Sequence, residues 1–239
     1  MNKNGQQVWI VTGSSSGLGA AISDVLTKAC GFHVEKWDLD NGMDVTKAED
    51  VYMFMDAYVE HGVKIDGIVN CAGIAKLAWF KDITQEDYDA VFDVNCRSIF
   101  NMVQSAIFNG VFDYRPTVVN VISTASRLPM TNSFTYCASK AAAEMMTRQM
   151  ARELIKTHGI TVFGIAPNKL KKTGMTDQID ERVQELRGWS AEEAKGYQEA
   201  GNGNLEYTDP NSVAAVLGFM LSKPEFHKFQ NGAIIPMGV

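Results

Sequence analysis

The sequence predicts a single α/β domain built on a doubly wound parallel sheet with helices on both faces. Three observations carry that prediction. Short apolar runs alternate with longer stretches of helical period, the runs are continuously apolar, and the first of them ends in a glycine-rich turn. Strands alternating with helices imply βαβ units. Strands apolar on both sides belong to a sheet covered on both faces. A chain of 239 residues, 46% hydrophobic and 21% charged, is long enough to bury its core as one unit, so residues 1–239 form one domain.

The elements follow in order. Val8–Thr12 is an unbroken apolar run stopped by Gly13, and the helix Gly17–Cys30 opens directly after the turn. His33–Asp38 is the second strand and Lys47–Glu60 the second helix, then Gly67–Cys71 forms a third strand. The long apolar period over Gln85–Asn109 predicts one continuous helix before the strand Thr117–Ser123. Phe134–Thr157, the strand Thr161–Ala166, the helix Asn211–Leu221 and a last strand at Ala233–Pro236 complete the pattern. Asn168–Tyr207 departs from it, being polar, rich in glycine, and carrying one amphipathic stretch at Ile179, Val183 and Leu186. So long a connection inside a compact domain is expected to be functional, and 168–207 reads as a substrate-binding lid inserted in the domain.

Composition excludes several function classes. A net charge of −6 and the lack of a Lys/Arg cluster argue against nucleic acid as a partner. The longest apolar run, Val213–Leu221, is half a membrane span, and the first residues show no signal-peptide pattern. Cys30, Cys71, Cys96 and Cys137 lack CxxC spacing, which reads as reduced thiols in a cytoplasmic protein. The four histidines have no metal-ligand spacing, so no metal is expected.

Two clusters carry chemistry. Glycines in the turn Thr12-Gly13-Ser14-Ser15-Ser16-Gly17-Leu18-Gly19 allow the backbone to approach a pyrophosphate, which the N–H groups at the helix start can bind. Asp38, 19 residues past Gly19, is placed to accept hydrogen bonds from the adenosine ribose hydroxyls. Its carboxylate would repel a 2′-phosphate, and neither Leu39, Asp40 nor the turn serines supply a cation, so NAD is the expected cofactor. In the second cluster Tyr136 and Lys140 share a helix face, and Ser123 lies 13 residues earlier at a strand end. A phenol titrates near 10, and the Lys140 ammonium, with the positive ring of an oxidised nicotinamide, should lower that value.

These residues together resemble the short-chain dehydrogenase/reductase family over nearly the whole chain, and through it the Rossmann-type fold. The turn matches the family's TGxxxGxG pattern, Asp44-Val45 its adenine-contacting pair, and Asn70-Cys71-Ala72-Gly73 its NNAG motif with Cys71 in place of asparagine. Asn95, Ser123, Tyr136 and Lys140 match its active-site residues, and the resemblance implies that Asn95 holds a water in a proton relay. It implies cofactor contacts from Gly13, Ser15, Ser16, Gly17, Leu18, Gly19, Asp38, Asp44, Val45, Asn70, Ala72, Gly73, Tyr136, Lys140, Pro167 and Thr173. Two departures stand out: Pro167-Asn168 replaces the family's Pro-Gly, with Thr173 one place late, and Pro236-Met237-Gly238 replaces its Asp-Gly-Gly.

The expected activity is hydride transfer between NAD and a secondary alcohol or ketone, with Tyr136 as general acid/base. A catalytically silent NAD-binding regulator of the same fold, or an NADPH-dependent 3-oxoacyl reductase, stays open as an alternative. Apolar residues on several faces of Gln85–Asn109 (Ile99, Phe100, Met102, Val103, Ala106, Ile107) suggest a homo-oligomer, tetramer or dimer. Leu170, Met175, Ile179, Val183, Leu186 and Trp189 of the lid, facing Leu77, Trp79, Leu128 and Met130, suggest a partly apolar small-molecule substrate.

Overall fold

Every residue of strand β1 (Val8–Thr12) is buried, as its continuous apolar sequence requires. In the computed structural model, which describes residues 5–190, 192–194, 207–223, 225–226 and 229–238, β1 lies inside a six-stranded parallel sheet. Its companions are β2 (His33–Trp37), β3 (Ile65–Asn70), β4 (Phe112–Val121), β5 (Thr161–Pro167) and β6 (Ile234–Met237), in the spatial order β2-β1-β3-β4-β5-β6. The chain thus runs outward from β1 to β2, then crosses back to the other side of β1 at β3. At such a reversal the loops at the carboxyl ends of β1 and β3 part, and a crevice opens between them.

Helices α1 (Gly17–Lys28), α2 (Ala48–Glu60), α3 (Gln85–Phe92), α4 (Ser98–Phe108), α5 (Phe134–Thr157), α6 (Gly174–Arg187) and α7 (Pro210–Leu221) surround the sheet. On one face Ile22 and Leu26 of α1 and Val213 and Leu217 of α7 pack on Val11, Val119 and Phe163. The two helices approach closely at Gly218, where a Cβ would stand 2.5 Å from a Val25 methyl. On the other face Val51 and Met55 of α2 and Met102 and Ala106 of α4 cover Val8, Ile10 and Ile68. Ala143 and Ala151 of α5 cover Ile122, Val118 and Val162. Among the described residues no helix is long and apolar enough to cross a membrane.

Several sequence expectations are corrected. The continuous helix over Gln85–Asn109 is broken by a π turn at Asp93–Arg97, between α3 and α4. A π turn inserts one residue into the helix, a change that apolar period alone does not reveal. Strand β4 starts at Phe112, five residues early, across a bulge in which Ile65 pairs with Phe112 but Gly67 with Thr117. It ends at Val121, so Ser123 lies just past the strand. The apolar surplus of α4 is mostly internal: Ile99, Met102, Val103 and Ala106 are buried, because the helix is wedged between α2, α5 and the sheet. Phe100 and Phe108 alone of that helix stay strongly exposed among its large apolar residues. The lid contains an ordinary helix, α6, capped by Thr173 and ended by Gly188 at φ 65°. The part of the lid at 191 and 195–206 lies outside the described residues.

A buried polar chain crosses the sheet beneath the crevice. Asn70 Nδ2 donates to Asn120 Oδ1 at 2.8 Å, Asn120 Nδ2 donates to Thr147 Oγ1 at 2.8 Å, and Thr147 Oγ1 donates to the Ala143 carbonyl at 2.7 Å. Asn120→Ala would leave the buried Asn70 Nδ2 without its acceptor and Thr147 Oγ1 without its donor. The expected loss is about 1–3 kcal/mol, read as a lower urea midpoint with an unchanged slope.

Candidate active site

The crevice begins at the glycine-rich turn. Gly13 has φ 66°, and a Cβ there would stand 2.8 Å from Ala72 Cα, so the turn rests on the chain leaving β3. Gly19 is tighter: its Cβ would fall 2.0 Å from the Gly13 carbonyl oxygen. Thr12 Oγ1 accepts the N–H groups of Cys71 and Ala72, both at 3.0 Å, and so ties the ends of β1 and β3. The N-cap of α1, Ser16, makes no side-chain cap bond, and no acid lies in the first turn. The N–H groups and dipole there remain available to an anion.

At the same end, Asp38 Oδ2 accepts the Ser15 N–H at 3.0 Å, which holds the carboxylate between the turn and the end of β2. Asp44 accepts the Thr46 hydroxyl at 2.6 Å, and this bond keeps its carboxyl below the usual range. Asn101 on α4 donates to the carbonyls of Val45 and Thr46, each at 3.1 Å, supporting that loop from below.

At the other end, Ser123 caps the 3₁₀ turn Thr124–Ser126, its Oγ accepting the Ala125 N–H at 3.1 Å. Lys140 is 5% exposed, donates to the Val121 carbonyl at 2.9 Å, and stands 5.9 Å from the Tyr136 ring centroid. Burial pushes the ammonium's pKa down. The Tyr136 phenol is pushed above its ordinary value, by burial first, while a hydrogen bond with Ser123 pulls it down and Cys137 adds an upward push. The lowering expected from Lys140 is not seen in the protein alone, where loss of water around the phenolate dominates. Cys71 and Cys96 are likewise raised by burial, Cys71 to about 12, so both remain thiols.

Asn95 sits in the π turn and is spent on structure at its side chain. Nδ2 donates to the Ile74 carbonyl at 3.0 Å and to Ser139 Oγ at 2.9 Å, and Oδ1 accepts the Ile74 N–H at 2.9 Å. The loop after β3 is thereby fixed to α5. Gly73 lies between: a Cβ there would be 3.4 Å from both Asn95 Oδ1 and Lys140 Nζ.

One cavity of about 410 Å³ joins the two ends. Gly13, Ser16, Gly17, Leu18 and Gly19 line it with Asp38, Asp44 and Val45; Ala72, Gly73, Ser123, Tyr136, Lys140, Pro167 and Thr173 line the rest. Three candidate residues are placed differently. Asn70 turns into the polar chain below, Ser15 offers its N–H to Asp38, and Asn95 stands behind Gly73. Sequence reasoning passed over Trp37, Met43 and Thr46, which line the cavity near Asp44, and Ile74 and Val94 beside Gly73. Their proximity in sequence to Asp38, Asp44, Gly73 and Asn95 was the available signal.

Described residues of the 168–190 segment border this cavity. Leu170, Met175 and Ile179 reach it from α6 and its lead-in, and Met130 reaches it from the opposite wall. Three hydrogen bonds hold α6 against that wall: Arg182 Nε to the Leu77 carbonyl, Trp79 Nε1 to the Leu186 carbonyl and Arg187 Nε to Asn132 Oδ1, each 3.3 Å. Leu128 faces a neighbouring groove instead. The two departures from the family pattern meet here. Asn168 N donates to the Met237 carbonyl at 3.2 Å, and Asn168 Oδ1 accepts the Thr208 hydroxyl. A Cβ on Gly238 would stand 2.2 Å from that hydroxyl, so the glycine that the tail keeps at this position makes room for the altered loop.

Known proteins resemble this chain in sequence and in fold. The profile of the family described as short chain dehydrogenase matches residues 35–184. Sorbitol-6-phosphate 2-dehydrogenase of Klebsiella pneumoniae is 30% identical over 214 residues, covering 80% of this chain and 79% of that protein. A short chain dehydrogenase family protein from Francisella tularensis superposes with a TM-score of 0.80 at 25% identity, covering 97% of both chains. An actinorhodin polyketide ketoreductase crystallised with NADPH superposes at 0.83, with 22% identity, over 100% of this chain and 98% of that one.

The packing of the turn is open to direct test. Gly19→Ala forces atoms into the Gly13 carbonyl and should destabilise by about 3 kcal/mol, lowering Tm by roughly 6–12 °C. Gly174→Ala, where a Cβ meets nothing within 4 Å, should leave the thermal transition in place.

Proposed function

The chain belongs to the short-chain dehydrogenase family, and on that premise we propose that it transfers hydride between NAD and a secondary alcohol or ketone. The observation that carries the reading is the single cavity joining a phosphate-binding turn to Ser123, Tyr136 and Lys140. The residues present fit a dinucleotide: the helix start lacks its own cap, and Gly13, Gly17 and Gly19 line the cavity beside it without side chains. The turn and α1 would hold the pyrophosphate, Asp38 the adenosine ribose, and Asp44 and Val45 the adenine. Tyr136 and Lys140 would hold the nicotinamide ribose, with Pro167 and Thr173 near the carboxamide. When bound, the nicotinamide ring accepts or returns the hydride.

The chain's own residues handle the proton. In oxidation of an alcohol, Tyr136 as phenolate takes the hydroxyl proton at its oxygen; in reduction, the neutral phenol returns it. Ser123 donates to the substrate oxygen and holds it beside the phenol. Lys140, fixed by the Val121 carbonyl, supplies positive charge where the phenolate forms. The lid excludes water above the reacting carbon.

Cofactor and substrate preferences follow from charge. Asp38 favours NAD by accepting ribose hydroxyls and opposing a 2′-phosphate. An NADPH-dependent ketoreductase reading draws on the shared fold, but it requires a cation where Asp38 stands. Among the described residues the cations lining the cavity are Lys140 and Lys169, and Lys169 is paired with Asp180. Neither suits a phosphate group, so a largely neutral substrate with an apolar arm against Met130, Met175 and Ile179 is favoured over a sugar phosphate. Exposed Phe100, Phe108 and, on α5, Met145 support a homo-oligomer formed through α4 and α5.

Reduction of NAD followed at 340 nm against a panel of secondary alcohols tests the activity. Calorimetry should show NAD binding far more tightly than NADP, and Asp38→Ala should narrow the gap; equal affinities in the wild type would remove the cofactor assignment. Tyr136→Phe should keep NADH affinity and lose about 10²–10⁴-fold in kcat, and a fully active variant would refute the proton role.

A further inference from the structure

We propose that Glu144 is a positioning residue for proton transfer, clamping the turn that carries Ser123 onto the helix that carries Tyr136 and Lys140. The proposal rests on the reading of Tyr136 as the acid–base group. Tyr136, Lys140, Glu144 and Arg148 are spaced four apart on α5 and share one face. The first two face the cavity. Glu144, with its side chain 14% exposed, turns to the Thr124–Ser126 turn instead.

The clamp has several points of attachment. Ser126 Oγ lies 2.7 Å from Glu144 Oε2, and Arg127 reaches the carboxylate through Nε at 3.1 Å to each oxygen and Nη2 at 2.8 Å. Arg148 adds a contact at 3.0 Å from within α5. Ser126 is the last residue of the one-turn helix that Ser123 caps, and Arg127 is its C-cap. Ser126 Oγ is also 2.8 Å from the Ser123 carbonyl, and Ser126 N donates to that carbonyl at 3.1 Å. A hydroxyl has one proton, and the charged carboxylate is the stronger acceptor. Against the upward push of burial, Arg127, Ser126 and Arg148 hold that carboxyl at about 2, so the acceptor stays ionised at working pH.

The consequence reaches the reacting atoms through Ser123. Its Oγ accepts the Ala125 N–H, and the residue lines the cavity together with Tyr136, where a hydrogen bond from the Ser123 hydroxyl to the phenol oxygen would favour the phenolate. Releasing the turn would lengthen that bond. The titratable groups about Tyr136 are Lys140 and Cys137 on its own helix, with Cys71 and Cys96 beyond Lys140. Those facing Glu144 are Arg127 and Arg148, and a change at Glu144 alters none of the groups about Tyr136 directly.

The experiment compares wild type, Glu144→Ala, Glu144→Gln and Ser126→Ala. With NAD and the best alcohol of the panel, Glu144→Ala should lower kcat about 10–100-fold, the effect of a misplacement near 1 Å. NADH affinity, read by fluorescence, should stay within about twofold, and the apparent pKa of kcat/KM should rise by about half to one unit. Glu144→Gln, which keeps an acceptor for Ser126, should recover part of the loss. Should Glu144→Ala not fold, Ser126→Ala removes one hydroxyl and should shift the profile in the same direction. A wild-type kcat and pH profile in the variants that fold overturns the clamp, as does a loss confined to Tm. Absence of turnover in the wild type, or a fully active Tyr136→Phe, sinks the catalytic reading alone. The clamp is then judged by tyrosinate absorbance with NAD present: subtracting Tyr136→Phe isolates one phenol, whose midpoint should be higher in Ser126→Ala. Equal midpoints overturn the proposal.

Discussion

A buried ammonium sets the terms for this fold. Lys140 is enclosed at the carboxyl end of the sheet, and its named surroundings are a backbone carbonyl, a phenol and two thiols that burial keeps neutral. A cation taken from water needs a compensating partner, and one carbonyl dipole supplies only part of it. The protein therefore holds a positive charge in a place where negative charge on a neighbouring oxygen would be welcome. That arrangement fixes the register of α5 against β4, because the hydrogen bond to Val121 admits only one placement of the helix. Tyr136, one turn earlier, inherits its position from this contact.

The walls around that charge are built from side-chain amides and hydroxyls. Thr12 joins the ends of β1 and β3, Asn95 joins the loop after β3 to α5, and the Asn70–Asn120–Thr147 chain joins both to the middle of the sheet. Each of these groups is buried and uses short polar reach to fix two backbone segments at once. A hydrophobic contact could bring such segments together but would not fix their orientation. The cavity thus has rigid ends, while α6 meets the opposite wall through three longer bonds.

Much of this was legible in the sequence, for identifiable reasons. The strands announced themselves as apolar runs, and Gly13, Gly19 and Asp38 stood in a spacing that a strand–turn–helix unit demands. Ser123, Tyr136 and Lys140 could be placed together because a helix brings residues four apart onto one face. What stayed hidden depended on contacts between distant segments or on single-residue irregularities. The π turn around Asn95 leaves the apolar period nearly intact. The early start of β4 runs through Arg115-Pro116, a pair that reads as a loop. Asn70 and Ser15 belong to the motif by position, yet the structure directs them into the scaffold. The burial of Phe112-to-Val121 neighbours such as Ile99 and Val103 was likewise invisible, since it reflects how many elements converge on α4. The effect of burial on Tyr136 could not be weighed before the enclosing residues were known.

The segment after β5 is closed off at its base by a single bridge. Leu170 and Thr208 form a parallel bridge, with Thr208 N bonded to the Lys169 carbonyl at 3.0 Å and Lys171 N to the Thr208 carbonyl at 2.9 Å. The segment between them consequently leaves and rejoins the domain at one point, like a loop of thread drawn through a single eyelet. Each doubling of such a loop adds only about 0.6 kcal/mol of closure entropy. Changes in the length of that segment would therefore cost the sheet little in closure entropy. Length can vary there while the strands and the Lys140–Val121 contact keep their places.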